Sequence, residues 1–547
     1  MKKAVLISLS PILLVSALGM LLAFPFMIDV SAAPKDHPID LFQTSDRCFA
    51  CHNGLATSSG EDISIGINWR PTMMANSARD PYWQAGVRRE TIDHPESKAA
   101  IEDECAICHM PMARYQTHYE GGEAEVFARL TPRSDDHLDR LAKDGVSCSM
   151  CHQIGPEKLG TRESLVGGFV VDTTKERGER PEYGPYKIED GQNRVMRTSS
   201  AGYLPTQSEH IRQSELCATC HTLITKALGP GGQVIGQLPE QMPYQEWYAS
   251  DFREKQSCQN CHMPTVNEKT RIAVTLGMPR EDMARHTFLG GNFFMQRVLN
   301  KFRNELDVWA LPAEFEAAAN RTVEHLKTNT VKLAIDQVNV AGQRLQADLS
   351  IENLSGHKFP TAYPSRRAWL HVTVKDGSNR VVFESGAFNP NGSIQGNDND
   401  ADPTKYEPHY TEVTGADQVQ IYEDIMVGAN NTPTTGLLTA VRFIKDNRLL
   451  PKGFNKSAVD AEIAPQGRAV GDENFLGGGD KVRYTVSLGS AQGPFKVEAE
   501  LWFQPISYRW ANNLKSYEAM EPQRFTRYYD EMSGGSAVEL ARAVASK

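Results

Sequence analysis

Apolar and polar residues alternate along much of the C-terminal half of this 547-residue chain. The alternation covers residues 331–335, 345–351 and 370–374, and a period of two is typical of half-buried β-strands. An Asp376-Gly377 turn signal follows the last of these runs and precedes an apolar run at 381–383, which predicts a hairpin. Further strands are predicted at residues 419–425, 482–488 and 495–503.

The pattern before residue 328 is different and favours helices. Pro312 begins a run with apolar residues at helical spacing up to Leu326. Shorter helices are predicted at residues 135–143 and 243–255 in this part of the chain, and at 537–545 near its C-terminus. Together the patterns predict an α+β chain with an irregular, mostly helical domain at 34–300, a linker helix at 301–327, an antiparallel β-sandwich of immunoglobulin-like type at 328–510 and a C-terminal tail at 511–547.

The first 33 residues have the composition of a secretory signal peptide. Two lysines follow Met1, a long apolar run comes next, and Ser31-Ala32-Ala33 supplies small residues at the end. The predicted location is therefore periplasmic or extracellular. Because the apolar run covers about 25 residues, which is enough to cross a bilayer, an uncleaved signal anchor that associates with the membrane is the alternative.

All ten cysteines lie in five copies of the motif C-x-x-C-H. Two thiols at this spacing form thioether bonds to a haem, and the adjacent histidine is the proximal iron ligand. Zinc ribbons and thioredoxin-like sites also use C-x-x-C, but they do not need a histidine after every copy. The sequence thus predicts five covalently attached haem c groups, bound by Cys48 and Cys51, Cys105 and Cys108, Cys148 and Cys151, Cys217 and Cys220, and Cys258 and Cys261, with His52, His109, His152, His221 and His262 as proximal ligands. We number the motifs 1 to 5 in that order.

The motifs follow one another too closely for five separate haem domains, so they are expected to share one body around stacked cofactors. The net charge of −10 gives no indication of a nucleic-acid partner.

The identity of the sixth iron ligand decides between electron transfer and catalysis, because an open iron can bind a substrate. The distal candidates are His94, His118, His137, His210, His286, His357 and Met74. His286 precedes a Gly290-Gly291 pair that allows close backbone approach, and His210 lies shortly before motif 4.

Each candidate also has an alternative interpretation. His94, His118 and His137 are equally compatible with surface positions, and His137 lies among aspartates that suit a charge pair. His357 could be bonded within its own turn. For motif 1, Met73 competes with Met74, and both are compatible with core packing. The remaining histidines have no predicted ligand role: His325 and His371 are interpreted as structural, and His37 and His409 are left without a role.

Several longer runs resemble multihaem cytochromes of the cytochrome c-554-like group. These are residues 69–81, 285–292 and 356–369, while 446–454 and 508–510 resemble a β-domain attached to some members. The resemblance implies respiratory electron transfer through low-potential haems, most of them with two histidine ligands. The tetrahaem members lack a fifth haem and this C-terminal domain, so their ligand pairing does not carry over.

The leading hypothesis is therefore an exported electron carrier with no catalytic residues, whose partners are redox donor and acceptor proteins. The alternative is a reductase or oxidase of small nitrogen or sulfur species at one five-coordinate haem. A third interpretation is that the β-domain docks the cytochrome to a partner, a membrane complex or a second copy of itself as a homo-oligomer.

Overall fold

Helices prevail up to Asn329 and strands from Val331 onwards in the computed structural model of this chain, which describes residues 40–200 and 202–547. This mixture confirms the predicted α+β class. The predicted leader at 1–33 and His37 lie outside the described residues. Among the residues that are described, we find no helix with the length and apolar character needed to cross a membrane.

Most helices are short, as expected for a chain that wraps around sites instead of packing long helices together. Pro312 occupies the first turn of the longest one, where its missing N–H is not needed. The helices are α1 (Asp46–His52), α2 (Ile65–Trp69), α3 (Pro81–Asp93), α4 (Lys98–His109), α5 (Pro111–Tyr119), α6 (His137–Lys143), α7 (Cys148–Cys151), α8 (Asp190–Ser199), α9 (Ser214–Ala218), α10 (Pro243–Tyr248), α11 (Cys258–His262), α12 (Phe293–Lys301), α13 (Pro312–Asn329), α14 (Asp398–Ala401), α15 (Tyr508–Asn513) and α16 (Met520–Met532).

The strands form two larger sheets and several small ones. They are β1 (Arg180–Gly184), β2 (Tyr203–Gln207), β3 (Leu223–Leu228), β4 (Val234–Gln241), β5 (Thr270–Arg271), β6 (Pro279–Arg280), β7 (Val331–Ala341), β8 (Arg344–Asn353), β9 (Arg367–Lys375), β10 (Val381–Ser385), β11 (Glu412–Val413), β12 (Ile421–Tyr422), β13 (Asp424–Gly428), β14 (Pro433–Thr434), β15 (Ala440–Asp446), β16 (Gly479–Ser487), β17 (Lys496–Gln504) and β18 (Val538–Ser546). One larger sheet has the order β11-β16-β8-β7, and the other has the order β10-β9-β17-β18 with β12 also paired to β9. The strands β13, β14 and β15 form a third sheet.

The two larger sheets share one hydrophobic core. Alternate residues of β8 and β16, such as Leu349 and Val482, lie in the same buried cluster as Leu370 of β9 and Leu501 of β17. Burying one such side chain stabilises the fold by about 1.5–3 kcal/mol. Because every second residue points inward, the period-two pattern of the sequence correctly located these strands. The predicted hairpin across Asp376-Gly377 is also confirmed, since β9 pairs with β10 in antiparallel register.

Three sequence predictions about secondary structure differ from the structure. The helix predicted at 243–255 is shorter, because α10 ends at Tyr248. Residues 537–545 were expected to be helical, but they belong to β18, which pairs antiparallel with β17 from Val538 to Ser546. The alanines of this run favour a helix, and a free strand edge of the core sheet overrides that local preference. The single strand predicted at 419–425 is instead divided between β12 and β13, which lie in different sheets.

Contacts cross the predicted boundaries that lie within the described residues, and Asp40–Lys547 forms one compact unit. Phe293 and Phe294 of α12 belong to the same buried cluster as the core strands. The segment predicted as a C-terminal tail supplies α16, whose Glu521 lies 2.8 Å from Arg88 of α3 in an ion pair. The boundaries therefore mark changes in the type of element, and their status as separate folding domains stays a prediction.

Candidate haem sites

Each C-x-x-C-H motif lies on a short helix or at its end: motif 1 on α1, motif 2 on α4, motif 3 on α7, motif 4 on α9 and motif 5 on α11. Side chains three and four positions apart share one face of a helix. The two thiols and the imidazole of each motif therefore point to the same side. All ten thiols are free and half-buried.

All five motifs line a single cavity of about 1620 Å³. Elements from the whole described chain contribute to its wall, including the loop around His286, the helix α13 and the residues just before β9. The sequence predicted that the motifs share one body, and the cavity brings the predicted attachment and proximal residues together. Met73 and Met74 also line it, and Met73 packs against the main hydrophobic core.

Four of the five proximal imidazoles, those of His52, His109, His152 and His262, are oriented by backbone carbonyl groups. A carbonyl oxygen only accepts hydrogen bonds, so the bonded Nδ1 must carry the proton and Nε2 keeps its lone pair. That is the form in which an imidazole binds a metal. The carbonyl group that accepts from Nδ1 sets the tautomer and the orientation of the ring. The Nδ1 atoms donate to Ile272 O (2.6 Å from His52), Ser77 O (3.2 Å from His109), Tyr183 O (2.5 Å from His152) and Leu289 O (from His262).

Burial keeps the imidazoles of the cavity neutral. It lowers the pKa of His109 and of His221 to about 4, and that of His357 to about 4 as well. The pKa of His286 falls to about 3, again mainly by burial. These side chains are therefore available as metal ligands throughout the neutral pH range.

Two pairs of imidazole rings face each other across the cavity. The ring centroids of His152 and His286 are 6.5 Å apart with planes inclined by 19°, and those of His262 and His357 are 6.1 Å apart with planes inclined by 16°. Metal–imidazole bonds are about 2 Å long, so two trans imidazoles on one metal have centroids roughly 6 Å apart. The residues present fit a haem iron with two histidine ligands at motifs 3 and 5.

The two facing histidines have the same hydrogen-bond arrangement as the proximal ones. Nδ1 of His286 donates to Ala284 O at 3.1 Å, and Nδ1 of His357 donates to Lys358 O at 2.9 Å. In each case Nε2 is left with its lone pair. The alternative prediction for His357 was a hydrogen bond within its own turn. Both predictions can hold, because Nδ1 makes the hydrogen bond in the turn and Nε2 is free for a metal.

The turn that carries His357 is fixed by buried polar contacts from distant parts of the chain. Asn353 Nδ2 donates to His357 O at 2.9 Å. The backbone N–H of Lys358 donates to a carboxylate oxygen of Glu246 at 3.1 Å, and Lys358 Nζ lies 2.6 Å from Asp446 Oδ2. Lys358 is fully buried. These contacts define the position of the ring at the edge of the strand-rich region.

His118 and His137 contact carboxylates, and neither lines the cavity. Nε2 of His118 lies 2.6 Å from Asp103 Oδ1, and 40% of its side chain is exposed. Nε2 of His137 lies 3.4 Å from Asp40 Oδ1. This arrangement favours the alternative interpretation of both residues as charge partners near the surface.

His94 and His210 are buried but also lie outside the cavity lining. Both nitrogens of His210 are engaged, with Nδ1 2.7 Å from Ser208 Oγ and Nε2 2.8 Å from Ile154 O. Nε2 of His94 lies 3.5 Å from Thr439 Oγ1. The geometry gives these two residues no facing partner among the proximal histidines.

Sequence reasoning overlooked three residues of the cavity. His325, interpreted as structural, lines the cavity from α13 together with Thr322 and Asn329. These positions lie three and four residues apart, so helical spacing was the available signal. Trp83 stacks on the His109 ring at a centroid distance of 4.5 Å. The third is Arg366, and no pattern in the neighbouring sequence indicates that it lines the cavity.

Contacts between neighbouring motifs define an order. The Cys48 thiol of motif 1 lies against that of Cys148, and this contact together with burial raises the pKa of Cys48. Cys217 of motif 4 contacts Cys258 in the same way. The carbonyl oxygen of Cys220 lies 3.9 Å from Sγ of Cys108 in motif 2. Cys151 of motif 3 adds to the raised pKa of both cysteines of motif 4. Motif 4 therefore lies next to motifs 2, 3 and 5, and motif 1 lies next to motif 3.

Comparisons with known proteins support the fold. No protein-family model and no curated protein matches the sequence. The structure is similar to that of a penta-heme cytochrome c552 from Thermochromatium tepidum, with a TM-score of 0.52 and 16% sequence identity, over 93% of this chain and 100% of that chain. A likeness at this identity shows the fold alone, and the chain accordingly has the fold of a multihaem cytochrome c.

Proposed function

We propose that this chain is a pentahaem c-type cytochrome that carries electrons and has no catalytic residues of its own. The observation that carries this proposal is that all five C-x-x-C-H motifs line one continuous cavity. Bound haem c would supply reversible one-electron chemistry at its iron. The chain would contribute ten thiols for covalent attachment and five proximal imidazoles, four of which keep Nε2 free for the metal because Nδ1 donates to a carbonyl oxygen.

We further propose His286 and His357 as the distal ligands opposite His152 and His262. The support is the pair of facing-ring distances, 6.5 Å and 6.1 Å. Two imidazoles fill both axial positions and exclude small molecules from the metal, which favours electron transfer over catalysis. For motifs 1, 2 and 4 the earlier distal candidates stay predictions: His94, His118, His137, His210 and Met74. His325 joins them because it lines the cavity.

The contacts between motifs support a path that runs from motif 1 through motif 3 to motif 4 and then divides towards motifs 2 and 5. Motif 4 would be the branch point, since it adjoins three other motifs. A divided path gives the chain more than one exit, which suits a carrier that connects different redox partners.

The finer parts of the proposal follow from the sequence. We propose export through residues 1–33, a periplasmic or extracellular location, a place in a respiratory chain of the cytochrome c-554-like kind, and redox proteins as donor and acceptor. The immunoglobulin-like character of the strand-rich region, and its use for docking or self-association, belong to the same set of proposals.

The test is electron paramagnetic resonance of the oxidised protein, together with reductase assays on nitrite, hydroxylamine and sulfur oxyanions. We expect five low-spin signals and no turnover. A high-spin haem that binds and converts one of these substrates would instead support the alternative, a multihaem reductase or oxidase.

A further inference from the structure

Arg366 presents a guanidinium group to the cavity without an acidic partner. It lies directly before β9 and lines the cavity wall. Its Nη1 donates to Thr361 O at 3.0 Å. Within residues 40–200 and 202–547, no carboxylate oxygen lies within the 4.0 Å ion-pair distance of this side chain.

The next residue shows what a paired arginine looks like in the same region. Nη1 and Nη2 of Arg367 lie 2.8 Å and 3.0 Å from the two carboxylate oxygens of Asp400, and Nε donates to Gln504 at 2.8 Å. Arg367 begins β9 and is buried, whereas Arg366 precedes the strand, is half-buried and lines the cavity. Arg367 therefore has acidic and amide partners within the protein, whereas Arg366 bonds only a backbone carbonyl group among the described residues.

Arg366 is half-buried, and a cation that is partly removed from water is costly without a partner, which is why buried charges are normally paired. Burial lowers the pKa of Arg366 to about 10, and no carboxylate offsets this effect. The side chain is therefore expected to meet an anion that enters the cavity.

The position of Arg366 indicates which part of the cavity that anion occupies. Its Nη1 lies 3.9 Å from the position that a Cβ on Gly291 would take, two residues after Leu289, whose carbonyl oxygen accepts from His262 of motif 5. In line with this position, its positive charge contributes to the lowered pKa of both His221 and His357. His221 belongs to motif 4, and His357 faces the proximal histidine of motif 5. The planar guanidinium fork fits a carboxylate with two parallel hydrogen bonds.

We propose that Arg366 binds a haem propionate at the junction of motifs 4 and 5, so that the strand-rich region supplies a charged contact to the cofactor. This inference rests on the proposed function, because it requires bound haem. Neutralising a carboxylate near the iron favours the reduced state, so Arg366 would raise the midpoint potential of that haem. Arg366 acts here as a positioning residue at the branch point of the proposed path.

The experiment is a redox titration of the full-length holoprotein at several pH values, comparing wild type with Arg366→Gln. We expect one of five midpoint potentials to fall in the variant while four stay unchanged. The freed propionate should then titrate nearer neutrality and give that one potential a new pH dependence, which the loss of a remote charge would not produce. Arg297→Gln is the matched control, because Arg297 is also half-buried without a carboxylate partner but lies outside the cavity lining.

Arg366→Lys keeps the charge and loses the fork, so a smaller downward shift of the same potential is expected. If Arg366→Gln does not mature, this variant decides the question by the same titration. Five haems with unchanged potentials and unchanged pH dependence would overturn the assignment of Arg366 alone. Wild-type protein without covalent haem would overturn the proposed function and this inference together. Potentials that respond to added phosphate or nitrite only when Arg366 is present would assign the residue to a free anion and contradict the propionate.

Discussion

Histidines in the cavity and histidines in the strand-rich region differ in how their two nitrogens are used. In the cavity, His286 and His357 each bond one nitrogen to a carbonyl and leave the other open. His409 is more deeply buried than these two half-buried residues, and both of its nitrogens are bonded: Nε2 lies 2.9 Å from Asp472 Oδ2, and Nδ1 accepts from Gln420 at 3.0 Å and from Asn447 at 3.1 Å. His371 likewise contacts carboxylates through both nitrogens.

The difference shows how a ligand can be distinguished from a structural histidine. Polar groups inside a protein are normally satisfied, so a cavity-lining imidazole nitrogen with an open lone pair indicates a missing partner. The group of His409, Asp472 and Asp480 has donors close enough together for a metal ion, yet the histidine is already saturated by hydrogen bonds. The adjacent arginines show the same difference, because Arg367 is paired with Asp400 and Arg366 has no carboxylate partner among the described residues.

The largest expected effect is on the iron at motif 5. His357→Ala should remove a distal ligand and convert one of five haems to the high-spin form, whereas His409→Ala should leave all five low-spin. Removing a partner from the His409 network should instead destabilise the fold by about 1–3 kcal/mol. Electron paramagnetic resonance and chemical denaturation of both variants separate the two effects.

An unchanged low-spin spectrum in His357→Ala would remove the strand-rich region from the metal site. A high-spin signal in His409→Ala would contradict the rule that a histidine with hydrogen bonds on both nitrogens is not a metal ligand.

A second test uses the adjacent arginines. Arg367→Met leaves Asp400 buried without its partner, and breaking a buried pair from one side costs about 3–5 kcal/mol. Arg366→Gln should change the free energy of unfolding less, because Arg366 is half-buried and pairs with no carboxylate side chain of the described residues, so that only its proposed pair with a haem propionate is lost. Guanidinium chloride denaturation of the two holoprotein variants gives both values. Similar losses in both would mean that Arg366 is also part of the protein's own structure.

The attachment chemistry could be predicted from the sequence because the two cysteines that form the thioethers and the histidine that binds the iron lie within five residues. Facing histidines such as His152 and His286 are far apart in sequence, and only the fold brings their rings together. The position of His357 depends on Glu246 and Asp446, and no local pattern reveals that.

Secondary structure followed the same rule. The period-two runs of β8 and β9 identified strands because the inner face of each is buried along its length. β18 was missed because its pairing with β17 decides its conformation. The alanine-rich sequence of β18 alone does not indicate that pairing.

The smallest expected effect concerns His371. Burial lowers the pKa of His371, but hydrogen bonds to Glu500 and Glu384 outweigh it and raise the pKa above the usual 6.5. The stabilising contribution is therefore complete below pH 6.5 and is lost as the pH rises through the raised value. The stability difference between wild type and His371→Gln should fall with rising pH between about pH 5 and pH 9, by about 1 kcal/mol or less. A difference that is constant over this range would show that the imidazole does not gain its proton from the folded structure.

The central claim is that all five motifs of the cavity hold covalent haem. Its most direct test is mass spectrometry of proteolytic peptides from mature, alkylated protein. We predict that each peptide with a C-x-x-C-H motif carries one haem and that none of the ten cysteines is alkylated. A motif peptide that is recovered without haem and with alkylated thiols would contradict the account.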